Sequence, residues 1–376
     1  MTVVGNSVQR VRKGDLIFTG QQFLNLKPRR AVTAFVRTAL QLLKSNGTRI
    51  AFAGLASILL SSQAQSVEPV LPLVLEMTIP LPDVAGRIDH LAVDLGRKHL
   101  FVAEVGNNTL DAIDLATQKP VHRIAGLDEP QGVVYLPGPD LIAIGNGGDG
   151  AVRFYSGADF SPRGVVPLGD DADNVRADPR NGHVLVGYGS GGLAVIDPLK
   201  PAKLADIPLT GHPESFRLSL STGRIFVNIA RAGRITTVDL ASAKPLANWT
   251  QRGLTANFPM SLDETGHAVI VVFRSPAKLA MFDMTTGEMI ASADTCGDSD
   301  DVFFDEKRRR IYVSCGAGFI DVFQREPAAL TRLMRLATTS GARTSLFVPE
   351  LDRLFLAVRA GLIGSNASIQ VYRPNP

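Results

Sequence analysis

Pairs of residues able to do chemistry recur along this chain at a nearly constant interval. Asp89-His90 is followed by Pro130-Gln131, Asp173-Asn174, Glu214-Ser215, Phe258-Pro259, Asp300-Asp301 and Arg343-Thr344, in steps of 41 to 44 residues. Arg176 and Arg217 each stand a few residues further on, and Arg87, His212 and Asn257 lie in the same short stretches. Brought together, these side chains could do two kinds of work. Arg176 and Arg217, at equivalent places, could clamp an anion, because a guanidinium binds carboxylate or phosphate bidentately. Their structural alternative is pairing with Asp173 and Glu214, which burial would demand. Separately, Asp173, Asn174, Asp300 and Asp301 form an oxygen-rich set that suits Ca²⁺ or Mg²⁺. Such an ion could polarise a lactone carbonyl and activate water, with His90 or His212 as general base. The plainer reading is that Asp, Asn and Ser here form turns. No turn requires His90, Arg176, Glu214 or Arg217.

The interval belongs to a structural repeat. A short apolar stretch, a turn carrying Asp, Gly or a basic residue, and three or four β-formers recur as LAVDLGRKHLFVA from Leu91, VRADPRNGHVLVG from Val175 and FRLSLSTGRIFVN from Phe216. The phrase returns as MSLDETGHAVIVV from Met260, VFFDEKRRRIYVS from Val302 and LFVPELDRLFLAV from Leu346, with a degenerate copy, VVYLPGPDLIAIG, from Val133. Each copy continues through a Gly- or Asn-containing turn into a third strand and then a fourth. Four alternating strands per unit, repeated seven times, predict an all-β, seven-bladed β-propeller. The seventh copy has only three strands, and LVLEMTIPLPD, from Leu73, reads like the fourth strand of another blade, AKLADIPLTGH. The N-terminal strand is therefore expected to complete the last blade and remove the open sheet edges. The loops before each inner strand then converge on the mouth of a central channel, where ligands bind.

The phrases VDLGRKHLFVA, GNNTLDAIDLATQK and VNIARAGRITTVDLASAK resemble the YVTN family of propeller repeats, the YncE-like bacterial proteins, over residues 73 to 373. The resemblance implies the propeller fold and export from the cytoplasm, and it implies no particular activity. Similar propellers serve quinoprotein amine dehydrogenases and a haem-d1 nitrite reductase. Those activities rest on cofactors or subunits for which this chain shows no residues, and there is no Cys-x-x-Cys-His haem attachment site.

Upstream, Ile50 to Leu60 is an apolar run too short to span a bilayer. It follows Arg37, Lys44 and Arg49 and precedes Ser62-Gln63-Ala64. Residues 1–64 are read as an N-terminal extension and secretory signal peptide cleaved near Ala64, and residues 65–376 as a single propeller domain. The alternative is a buried helix of the folded domain. Residues 1–64 hold nine of the 39 Lys and Arg and one of the 36 Asp and Glu, so the remainder carries a net charge of −5. The basic pI of 8.9 thus belongs to the leader, and nothing in the charge calls for nucleic acid. No transmembrane segment is expected in the mature chain. Cys296 and Cys315 can form one disulfide in an oxidising compartment, the alternative being two unpaired thiols.

These readings describe a periplasmic or secreted monomer. It would bind a small polar or anionic molecule, or a protein partner, at the channel mouth through Arg87, His90, Gln131, Asp173, Asn174, Arg176, His212, Glu214, Arg217, Asn257, Asp301 and Arg343. A divalent-metal hydrolase resembling lactonases, and a structural scaffold, are the two alternatives.

Overall fold

The computed structural model describes residues 70–361 and 366–376. The expected signal peptide and the cleavage expected near Ala64 lie outside them. The described residues form 28 β-strands in seven antiparallel four-stranded sheets, each a blade of the propeller. Six blades are continuous in sequence. The seventh takes three strands from the C-terminal part and its outer strand, Leu73–Leu81, from the N-terminal part, paired antiparallel to Ala367–Pro374. The expected closure is thus present, and Leu73, Ile79 and Leu81 are fully buried by it.

The burial pattern explains why these short segments are strands. Second strands such as His99–Glu104 and Arg310–Cys315 are buried at every position but the first, because blades stack face to face and cover both sides. Outer strands such as Lys119–Ala125 and Ala202–Pro208 are exposed except at one residue, Ile124 and Ile207. Apolar packing is organised between blades. Each of the seven core clusters straddles one blade interface. At the closing interface Ile79, Phe355 and Ile369 of blade seven meet Leu100, Val102 and Ile113 of blade one. Burying such side chains contributes about 1.5–3 kcal/mol each.

Irregularities in the ladders aim residues into the channel. In blades two, three, five and six the register of the inner strand shifts at its channel-mouth end, between Pro130 and Val133, Ala172 and Val175, Asn257 and Met260, and Ser299 and Asp301. A bulge bends its strand and re-aims side chains. These shifts coincide with Gln131, Asp173-Asn174, Phe258-Pro259 and Asp300. Cys296 and Cys315, with Cα atoms 5.9 Å apart, form a disulfide. It ties the loop carrying Asp298 and Asp300 to the end of its own blade's second strand. No helix among the described residues is long and apolar enough to cross a membrane.

Candidate functional site

The inter-blade loops converge on an open funnel at the channel mouth, about 650 Å³ including the solvent at its opening. Of the twelve residues expected there, ten line it: Arg87, His90, Gln131, Asp173, Asn174, Arg176, Glu214, Arg217, Asp301 and Arg343. His212 sits behind that lining, its Nε2 3.7 Å from Asp173 Oδ2. Asn257 is not part of the site. Its side chain is buried between blades four and five and donates to Asn228 Oδ1 and the Arg234 carbonyl. It lies within the strand Thr255–Asp263, whose bulge carries Phe258 and Pro259, not Asn257, to the mouth.

The position four residues before the repeat's turn Asp mostly joins blades. Asn174 Nδ2 donates to the Glu214 carbonyl at 2.6 Å, and Ser215 Oγ donates to the Phe258 carbonyl at 2.8 Å. Asp301 Oδ2 accepts from the Ser345 amide at 2.7 Å, and Thr344 Oγ1 reaches the Ile88 carbonyl. Polar residues recur there because each satisfies a backbone group of the next blade. The four residues read as oxygen ligands are therefore partly committed. Asn174 has its amide donor used and its Oδ1 bound by Arg176, and Asp300 is held by two arginines. Asp173, Asp300 and Asp301 do not bring three ligand oxygens within 4.8 Å of one another. The set that does converge within that distance, among the described residues, is Asp173, His212 and Glu214.

The charges divide into a paired rim and an unpaired interior. At the rim Arg87 donates to Asp89 at 2.7 Å and to Gln131 at 2.8 Å. Across the mouth Arg274 and Arg343 grip Asp300 at 2.5 and 3.0 Å. The Arg274 guanidinium lies 3.5 Å from the centre of the Phe258 ring, a cation–π contact. Arg274 was missed from sequence. It ends a second strand, and the turns after second strands share the mouth face, so its position was the available signal. Arg176 and Arg217 point into the channel interior. Among the described residues Arg176 donates only to the Val175 carbonyl and Asn174 Oδ1, and Arg217 only to the Phe216 carbonyl. The anticipated pairing with Asp173 and Glu214 is absent.

Burial displaces the titrations of these groups. Desolvation, then Arg217's proximity to Arg176, pushes the Arg217 guanidinium below its ordinary value, and desolvation does the same to Arg176. Burial, reinforced by Arg176, lowers His90 to about 3, so its imidazole is neutral. Burial opposes protonation of His212 as well, but Asp173, the Gly189 carbonyl and Asp171 outweigh it and raise the ring to about 9. Its Nδ1 lies 2.7 Å from that carbonyl. Burial raises Asp173 to about 6 and raises Glu214, while burial and then Asp300 push Asp301 well above the carboxylate range.

No family model matches the chain, and no curated protein sequence matches it. Solved structures do. A chain of the crystal structure of the mitotic checkpoint complex superposes with a TM-score of 0.70 at 12% identity, covering 88% of this chain and 100% of that one. A chain of Kuenenia stuttgartiensis hydrazine synthase superposes with a TM-score of 0.65 at 14% identity, covering 82% and 97%. These likenesses show the fold. The chain is a seven-bladed β-propeller with a charged funnel at one mouth.

Proposed function

We propose that the protein binds a small anionic molecule, carboxylate- or phosphate-bearing, at the channel mouth. The observation that carries this is the pair Arg176 and Arg217, two guanidinium groups inside the channel that form no ion pair with a carboxylate among the described residues. Unpaired buried charge is costly, and an anion would supply the missing partner through charge-assisted hydrogen bonds. Neither His90 nor His212 titrates near neutrality, where a general acid or base works best, which weakens the hydrolytic role expected of either. Similarity of the blade phrases supports placing the chain among the YVTN-repeat, YncE-like propellers. The leader-like residues 1–64 support export to the periplasm or beyond, and a disulfide persists in such a compartment.

The test is calorimetric titration of the mature protein with acetate and with inorganic phosphate, repeated on Arg176→Met/Arg217→Met. Dissociation constants on the order of 1 mM or tighter are expected for at least one anion, with a loss of tenfold or more in the double variant. The variant should unfold at no lower temperature, because replacing unpaired buried charge with an apolar side chain removes a desolvation cost. Binding that is absent, or unchanged in the variant, overturns the reading.

A second reading, metal-assisted hydrolysis, is favoured by the convergence of Asp173, His212 and Glu214. The His212 contact to the Gly189 carbonyl leaves Nε2 facing Asp173, the orientation in which a histidine ligates metal. A nitrogen with two carboxylates suits Mn²⁺ or Zn²⁺ better than the all-oxygen Ca²⁺ or Mg²⁺ set expected from sequence. Metal would displace the imidazolium proton, so affinity must rise with pH toward 9. Elemental analysis and Zn²⁺ titration at two pH values decide it: a stoichiometric ion lost in His212→Gln supports the reading, and none sinks it.

A further inference from the structure

We infer that the anion is the head of an apolar monocarboxylate whose body lies in the channel below Arg176 and Arg217. This rests on the anion-binding reading and deepens it to a ligand class. The propeller repeats every position seven times around the channel, so one residue per blade stands at the level of the two arginines. Two residues before the turn Asp, blades three and four place Arg176 and Arg217. At the same register position blades one, two, five, six and seven place Ala92, Val134, Ser261, Phe303 and Leu346. All seven residues border one chamber, which together with its open mouth spans about 980 Å³ and opens on the opposite face beside Tyr135 and Glu350. Blades three and four make the ring cationic, blade five adds the hydroxyl of Ser261, and the arc from blade six round to blade two is apolar.

The two compartments of the channel differ in character. Arg176, Arg217, His90 and Asp301 border both the funnel and the chamber, so they stand between them. Above them the funnel is lined mainly by charged and amide side chains. Below them the chamber walls are the apolar arc and, deeper, Val93, Phe347 and Val348. A small polyanion such as phosphate would satisfy the arginines and leave the apolar arc against water. A carboxylate on an aliphatic or aromatic body satisfies both. The lone neutral imidazole at this level, His90, adds a hydrogen-bonding group without a competing charge. A monocarboxylate fits better than a dicarboxylate, because among the described residues no cation besides the adjacent pair Arg176 and Arg217 lines the chamber.

The experiment is calorimetric titration of the full mature protein with acetate, butyrate, hexanoate, octanoate and benzoate, with inorganic phosphate as the head-only comparison. Each methylene that enters the chamber should tighten binding about threefold to fourfold, the equivalent of ~0.8 kcal/mol per buried CH₂, until the chamber is filled. In Leu346→Asn, octanoate affinity should fall toward that of acetate, and Val134→Thr, which keeps the side-chain shape, should lower it by a smaller factor if the asparagine variant fails to fold. Acetate and phosphate binding with no dependence on chain length overturns this inference and leaves the anion-binding reading standing. Octanoate binding that survives Arg176→Met/Arg217→Met also overturns it, since the head would then play no part. If no anion binds at all, both readings fall together.

Discussion

His212 is the side chain at which this site meets bulk pH most directly. Its folded pKa of about 9 lies above the ordinary 6.5, so the folded state binds its proton more tightly than the unfolded chain does. The stabilisation is fully present below about pH 6.5 and is lost as pH rises through 9. Some displaced groups act elsewhere. Asp173, raised by burial to about 6, and Glu104, raised by burial to about 7, cost stability as pH rises from the acid range to near neutrality. His90, depressed to about 3, acts only below its unfolded value. Asp301, raised by burial, and Arg217, lowered by burial to about 9, are displaced as well, so the His212 contribution between pH 7 and 9 is the part of the slope that a His212 variant removes. Denaturant unfolding should show stability falling by roughly 1–2 kcal/mol across that window, after allowance for solvent at a partly open site. His212→Gln should flatten the slope. An equal slope in the variant would show that Asp173 and Asp171 do not hold the imidazolium. Salt should shrink the effect, because the contacts are 3.7 Å rather than direct hydrogen bonds.

At the scale of strands and loops, the sequence was most informative where the repeat constrained it. Seven turn phrases located every inner and second strand, since buried β-formers and a turn must alternate in each blade. The displaced strand from Leu73 was legible because its Ile-Pro-Leu triplet matched another outer strand. What could not be read was where a bulge directs a side chain. Asn257 stood in a mouth loop by alignment, yet the bulge between Asn257 and Met260 turns it into the blade interface. Asn174 and Asp301 were read as free polar groups although they bond the next blade, because polar types that stitch blades are the same types that bind ligands. Arg274 lay outside the aligned loops altogether. Close backbone approach is another feature invisible to alignment. A Cβ on Gly132 would lie 1.8 Å from the Asp173 carbonyl oxygen and 2.7 Å from Val175 Cγ2. Backbone cannot yield as a flexible side chain does, so Gly132→Ala must part blades two and three just where Asp173 enters the funnel. A loss of about 2–3 kcal/mol is expected from such overpacking, together with weaker binding of any ligand that touches Asp173. Chemical denaturation reads the first and titration the second. A neutral Gly132→Ala would mean that the blades are not packed this closely.

At the scale of the molecule, ring closure decides how the seven interfaces share stability. In an open array each unit depends on its neighbours and the ends fray. Here the outer strand Leu73–Leu81 pairs with Ala367–Pro374 and so binds the first part of the domain to the last. Asn375 adds to this, donating from its amide to the Pro72 carbonyl and from its side chain to the Leu71 carbonyl. The strand's buried residues, Leu73, Ile79 and Leu81, are shared between the interfaces that blade seven makes with blades six and one. The domain should therefore be indifferent to chain order and intolerant of the strand's loss. Leu73 faces Pro374 across the ladder, so a short linker can join Pro376 to Pro72 while a new start is made at Val84, after the turn at Asp83. That circular permutant keeps every strand pairing, places the four strands of blade seven in continuous order, and should unfold within a few degrees of the parent. Deleting residues 70–81 instead strips three fully buried apolar side chains, costing on the order of 5–9 kcal/mol, and exposes the edge of Ala367–Pro374 to intermolecular pairing. Thermal unfolding with light scattering separates the cases. A permutant as unstable as the deletion would mean that the strand contributes through its covalent link to blade one rather than through the sheet it completes.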